Sequence, residues 1–191
     1  MTAAFPTVRP DDSWGQWWRI HRHPGAWWFA DDSGTDPGRF DLPLPDGTCY
    51  MACLPVGSAA EVLRTPGVGH PDAQLAANER LLSPMPLDRW HDKPIADFTD
   101  PSVVDHGAPA DIAMVSREEA RPWAVAARRA GFDGIRYLLR EDPHRRYGLA
   151  LFGTRGEHAP AVQPSSSRLP AGLRNELVEL TGDYRGDPLA A

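Results

Sequence analysis

The chain has 191 residues, 41% hydrophobic and 24% charged, with a formal net charge of −6. That length suits one domain, able to bury roughly 70% of its unfolded surface without a disulfide or metal framework, and the composition excludes wholesale disorder. The acidic balance argues against a broad nucleic-acid surface, no apolar run approaches the ~20 residues that span a bilayer, and the opening Met1-Thr-Ala-Ala-Phe-Pro6 lacks the features of a signal peptide, so a soluble, cytoplasmic protein is expected.

In chain order, residues 1–15 are polar and proline-containing and are predicted to form an extended lead-in. Trp17–Arg22 reads as a first strand. Residues 30–47 are dense in Asp, Gly, Ser and Pro and read as loop. Thr48–Leu54 is a second strand, apolar enough to be central. Ser58 then opens a short helix, with Glu61 at the spacing of a capping box. Pro66 and the Gly67-Val-Gly69 that follows end it. A second helix is predicted over Asp72–Leu82, and short strands over Pro94–Phe98 and Ile112–Val115.

Ser116–Ala130 is the longest predicted helix, stopped by Gly131. Pro122 lies within it, so the helix either starts there or kinks there. Gly134–Leu138 and Leu149–Phe152 read as strands around the charged loop Arg140–Arg146. Beyond Thr154 the chain is polar again, with a short helix predicted over Leu173–Leu180. The 20 prolines cut the chain into short elements. No internal repeat is present, and helices and strands mix without a βαβ rhythm, so the fold class is α+β. The expected organisation is a lead-in over residues 1–15, one domain over 16–155 and a polar tail over 156–191.

Common catalytic signatures are missing. The chain contains no G-x-G-x-x-G, no Walker lysine loop, no H-E-x-x-H and no G-x-S-x-G. Cys49 and Cys53 are too few for a four-cysteine zinc site and read as ordinary buried thiols. His21 and His23 share one face of a strand, but two ligands without a third do not make a metal site, and none is expected. Five of the 7 tryptophans (Trp14, Trp17, Trp18, Trp27 and Trp28) fall near the N-terminus with Arg19, Arg22 and Arg39 close by. These rings either pack a strand beneath snorkelling arginines or offer faces to a base and forks to phosphates; composition favours packing.

The order of motifs is more informative than any one of them. Trp18-Arg19 is followed by Gly38-Arg39-Phe40, Tyr50, Glu61, then Phe132-Asp-Gly-Ile-Arg-Tyr137 and the strand ending at Phe152. Over roughly residues 17–153 this resembles the RES domain family, named for an arginine, a glutamate and a serine. The resemblance implies an ADP-ribosyltransferase-like fold, a pair of small β-sheets with short flanking helices and a cleft between them. It further implies a toxin that cleaves NAD+ at the nicotinamide–ribose bond by hydrolysis or phosphorolysis. NAD+ would be the substrate, with no resident cofactor. The partner implied is an Xre-type helix-turn-helix antitoxin encoded beside it, with no membrane and no direct nucleic acid.

On this resemblance Glu61 and Arg39 are the candidate catalytic residues, and Arg19, Arg39, Tyr50 and Arg140 the candidate substrate-binding residues. The chemistry suits them. Arginine grips a pyrophosphate with two parallel donors, tyrosine can stack on a cationic ring or aim its hydroxyl at a ribose, and a carboxylate stabilises the oxocarbenium-like charge of glycosidic cleavage. The pattern breaks at Leu139, which stands where the family's serine is expected, while Arg140 is retained. An attenuated NAD+-cleaving enzyme is the expectation. The alternatives are a disabled nucleotide-binding or antitoxin-binding module, and a mono-ADP-ribosyltransferase acting on a protein.

Overall fold

The computed structural model describes residues 4–22, 27–30, 37–63, 80–142, 144–157 and 167–168. Among them are eight strands: β1 (Thr7–Val8), β2 (Trp17–Arg22), β3 (Asp46–Ala52), β4 (Arg80–Met85), β5 (Ile95–Asp97), β6 (Gly134–Leu138), β7 (Tyr147–Thr154) and β8 (Ser167–Arg168). They lie in the order β1-β5-β6-β7-β3-β2-β4-β8. Every pairing is antiparallel except β5 with β6. With helices α1 (Pro55–Leu63) and α2 (Arg117–Arg129), the fold is α+β as predicted. No helix among the described residues is long and apolar enough to cross a membrane.

Side-chain alternation along the central strands builds two cores, one on each face. Cys49, Met51, Leu149 and Leu151 join Trp17, Trp27, Trp28 and Trp90 on one side. Ala52, Ala150 and Phe152 join Phe40, Tyr137, Leu139 and helix α2 on the other, with Tyr50 packed against them. Helix α2 presents Ala120, Ala124 and Ala127 to this second core, and their small size lets the helix lie close. Ser116 and Glu119 form a reciprocal capping box at its start. Gly131, at φ 90, takes the left-handed turn after its end.

The sheet nearly divides between β2 and β3, which share a single register pair, Trp18 with Ala52. Beyond it the ladder's backbone groups find other partners, as buried groups must. Ile20 N–H donates to Ser58 Oγ at 3.0 Å. The Tyr50 carbonyl accepts from Arg19 Nη1 at 3.0 Å. Thr48 exchanges both backbone bonds with Phe29. The two small sheets implied by the resemblance are thus halves joined at one seam.

Several elements differ from expectation. Helix α1 begins three residues before Ser58, at Pro55, where proline is tolerated in the first turn. Ser58 and Glu61 do not cap it, because both side chains serve distant backbone groups. The described end of the predicted Asp72–Leu82 helix is strand instead: Leu81 and Leu82 belong to β4, paired with His21 and Ile20. Ile112–Val115 is a turn, with Asp111 accepting from Ala113 N–H at 3.0 Å through its side chain and from Met114 N–H at 3.2 Å through its carbonyl. Helix α2 runs through Pro122 rather than starting there. The lead-in contains β1, which pairs with β5. The Leu173–Leu180 helix and His23 lie outside the described residues.

Candidate active site

The site is built around the turn that precedes β3. Gly38 N–H donates to Asp41 Oδ2 at 2.7 Å, and Asp41 N–H returns to Gly38 O at 3.2 Å. A Cβ on Gly38 would stand 2.5 Å from Asp41 Oδ1 and 2.7 Å from the Tyr50 hydroxyl, so this close approach requires glycine. Tyr50 closes the arrangement. Its hydroxyl donates to Asp41 Oδ1 and accepts from Phe40 N–H, each at 2.8 Å. Burial first, then the neighbouring Asp41 charge, push the Tyr50 phenol well above its ordinary pKa and keep it a protonated donor. Its hydroxyl is committed to the turn, and its ring stacks on Phe40 with centroids 6.3 Å apart.

This turn aims Arg39, whose Nη1 donates to the carbonyl of Val115. The guanidinium is half-buried. Its electrostatic neighbours are Arg140, Glu61, Tyr137 and Tyr50. Burial and the facing Arg140 lower its pKa, while Glu61 opposes them. Glu61 comes from α1 and accepts Glu141 N–H on Oε1 at 2.9 Å. The Arg140 backbone N–H also favours its ionised form. Burial nevertheless dominates and raises the carboxyl above the ordinary glutamate range.

Four of the five candidate residues are therefore linked electrostatically through Arg39, with Tyr50, Glu61 and Arg140 as its neighbours. Arg19 stands apart, on the Cys49 side of β3. It is 9% exposed, lies 6.0 Å from the centre of the Trp27 ring, interacts electrostatically with Cys49 and caps the Tyr50 carbonyl at the seam. Its Nε has no hydrogen-bond partner. The tryptophans beside it are packing residues: Trp17, Trp27 and Trp28 are buried, and Trp28 stacks on Trp90 at 5.6 Å. His21 is buried too, with Nε2 2.8 Å from Ser83 Oγ.

Two residues join the cluster that the sequence reading left out. Asp41 holds Tyr50. Tyr137, on β6, lies with its ring 4.8 Å from Phe40 and interacts electrostatically with Glu61 and Arg39. A Cβ on Gly148 would stand 2.6 Å from Tyr137 Cζ, so β7 is bare where the phenol passes. The spacing of Tyr137 from Leu139, two residues along one strand face, was the available signal. Leu139 itself is 1% exposed and packed into the helix-covered core.

The fold and this cluster define an α+β protein with arginine, tyrosine and glutamate gathered beside the seam of a divided sheet. A family model, the RES domain, matches residues 16–173, and the chain belongs to the RES domain family. Among solved structures it is similar to the MbcT toxin in the crystal structure of the M. tuberculosis MbcT–MbcA toxin–antitoxin complex, at 17% identity and a TM-score of 0.61. The match covers 85% of this chain and 87% of that one. No curated protein matches it in sequence.

Proposed function

We propose that the chain is the toxin of a toxin–antitoxin pair and an enzyme that cleaves NAD+ at its nicotinamide–ribose bond. The observation that carries this reading is the convergence of Glu61 with Arg39, Tyr50, Tyr137 and Arg140. A part-buried carboxylate held by the Glu141 N–H suits a site where positive charge develops on a sugar ring. In the proposed reaction the bond between ribose C1 and the nicotinamide nitrogen breaks, and its electron pair leaves with nicotinamide, which becomes neutral. Water or phosphate then forms the new bond to C1. Glu61 stabilises the oxocarbenium-like charge and orients the incoming oxygen. Arg39 and Arg140 hold the anionic part of the substrate, and Tyr50 lines the site with its ring. Arg19 contributes from the far side of β3, chiefly by fixing the Tyr50 backbone.

The membership of this chain in the RES family and the toxin–antitoxin complex of its structural neighbour support an antitoxin partner, proposed to be of Xre type, acting with it in the cytoplasm. NAD+ enters as substrate and no resident cofactor is invoked. Leu139 favours a second reading, a module that binds the nucleotide without turning it over, because leucine offers no donor in the serine position. Chromatography of nicotinamide released from NAD+, with and without phosphate, separates the two. Release by the wild type that is lost in Glu61→Gln is the expected result. Tight binding without release would establish the second reading instead.

A further inference from the structure

The connection from β6 to β7, residues 139–146, is long for an antiparallel pair that two residues can join. It buries a carboxylate: Asp142 is 1% exposed. Such burial is unfavourable unless donors surround the charge, and here they do. Arg146 directs Nε to Oδ2 and Nη2 to Oδ1, the latter at 3.1 Å. His144 N–H reaches Oδ1 at 2.9 Å, and Arg145 N–H reaches the Asp142 carbonyl at 2.9 Å. Leu139 N–H closes the base of the loop on Arg146 O at 2.8 Å. A second tie holds the far side, where Arg145, at φ 51, pairs with Asp111 and donates to Leu139 O at 3.2 Å. The Glu141 N–H that holds Glu61 Oε1, and the Arg140 N–H that also favours its ionised form, lie between these anchors.

We infer that Asp142 is a positioning residue: paired with Arg146, it fixes the Arg140–Glu141 backbone that orients the Glu61 carboxylate. Asp142 itself contacts no reacting group. The kinetic part of its test rests on the NAD+ reading; the structural part does not. The groups that face Glu61 are Arg39 from the turn before β3, Tyr137 from β6, and Glu141 from the loop. Loosening the loop leaves Arg39 and Tyr137 in place. It moves the Glu141 charge together with the Glu141 N–H, and loss of that donor outweighs relief from the charge, so the ionised carboxylate is disfavoured.

The test is a carboxyl-carbon NMR titration of Glu61 in the full-length protein, assigned by its loss in Glu61→Gln. In folded Asp142→Asn the Glu61 midpoint is expected to rise by about one pH unit, and Arg146→Lys, which keeps charge but loses the fork, to give a smaller rise. Nicotinamide release should fall about ten- to a hundredfold in kcat, with KM changing about twofold or less and the acid limb moving the same way. An unchanged Glu61 midpoint in the folded variants overturns the inference. If circular dichroism finds Asp142→Asn unfolded, Arg146→Lys decides by the same titration. A wild type that releases no nicotinamide overturns the NAD+ reading, and the titration alone then decides the role of Asp142.

Discussion

The two faces of the sheet are filled differently. One is packed with tryptophan: Trp17, Trp27, Trp28 and Trp90 lie over Cys49, Met51, Leu149 and Leu151. The other sets rings such as Phe40, Phe98, Tyr137 and Phe152 among alanines, with Ala52, Ala96 and Ala150 on the strands and Ala120, Ala124 and Ala127 on the helix. Large rings fill their side and leave the guanidinium of Arg19 sealed among them. Small residues bring the helix close, and at the margin of that core the polar chains of Arg39, Tyr50, Tyr137 and Glu61 come together. The aromatic stretch, for which composition favoured packing, is packing in the fold. The proposed chemistry lies on the other side.

The largest expected effect tests the closed face. Trp28→Ala removes a fully buried ring stacked on Trp90 and should destabilise the protein by about 3–5 kcal/mol in a urea titration, while the folded fraction keeps its turnover. Glu61→Gln tests the other face. Nicotinamide release should drop about 10²- to 10³-fold, yet thermal melting at neutral pH should fall little or not at all. The sign follows from burial: because the folded pKa is raised, the ionised side chain opposes folding above that pKa, and the penalty disappears as pH drops through it. For the same reason the acid limb of the wild-type rate profile should lie above the ordinary glutamate range.

Leu139→Ser joins the two tests, since it places a hydroxyl near the site by emptying a fully buried position. It should cost about 2–5 kcal/mol of stability, read by chemical denaturation, whatever it does to turnover. Arg19→Lys should have the smallest kinetic effect. It loses the fork at the seam, and the KM for NAD+ should rise less than about tenfold, short of the rise expected for Arg39→Lys. A larger rise in Arg19→Lys than in Arg39→Lys would reverse the ranking of the two faces.

Strands β2 and β6 were legible in the sequence to the residue, because each is a short stretch rich in aromatic and β-branched residues bounded by polar, proline or glycine punctuation. The beginning of β4 was not. Leu81 and Leu82 follow an alanine-rich stretch with helical spacing, and only their pairing to His21 and Ile20, about sixty residues earlier, makes them a strand. Ser58 fails in the same way. Its spacing to Glu61 is a local signature, but the donor it serves is Ile20 N–H on another strand. Arg39, Tyr50, Glu61 and Arg140 were legible through the order of family motifs. Asp41, Tyr137 and Asp142 were not, because each acts through a neighbour that only the folded chain supplies.

Leu139 is wedged between two bare positions. A Cβ on Gly57 would stand 2.6 Å from its Cδ1, and one on Gly148 would stand 2.7 Å from its Cδ2. Each methyl occupies space that a side chain at 57 or 148 would need, so an alanine at either glycine would force the leucine to shift. Position 139 thus ties helix α1 to strand β7 through packing. Replacing it alone by serine tests that tie as much as the chemistry of the hydroxyl.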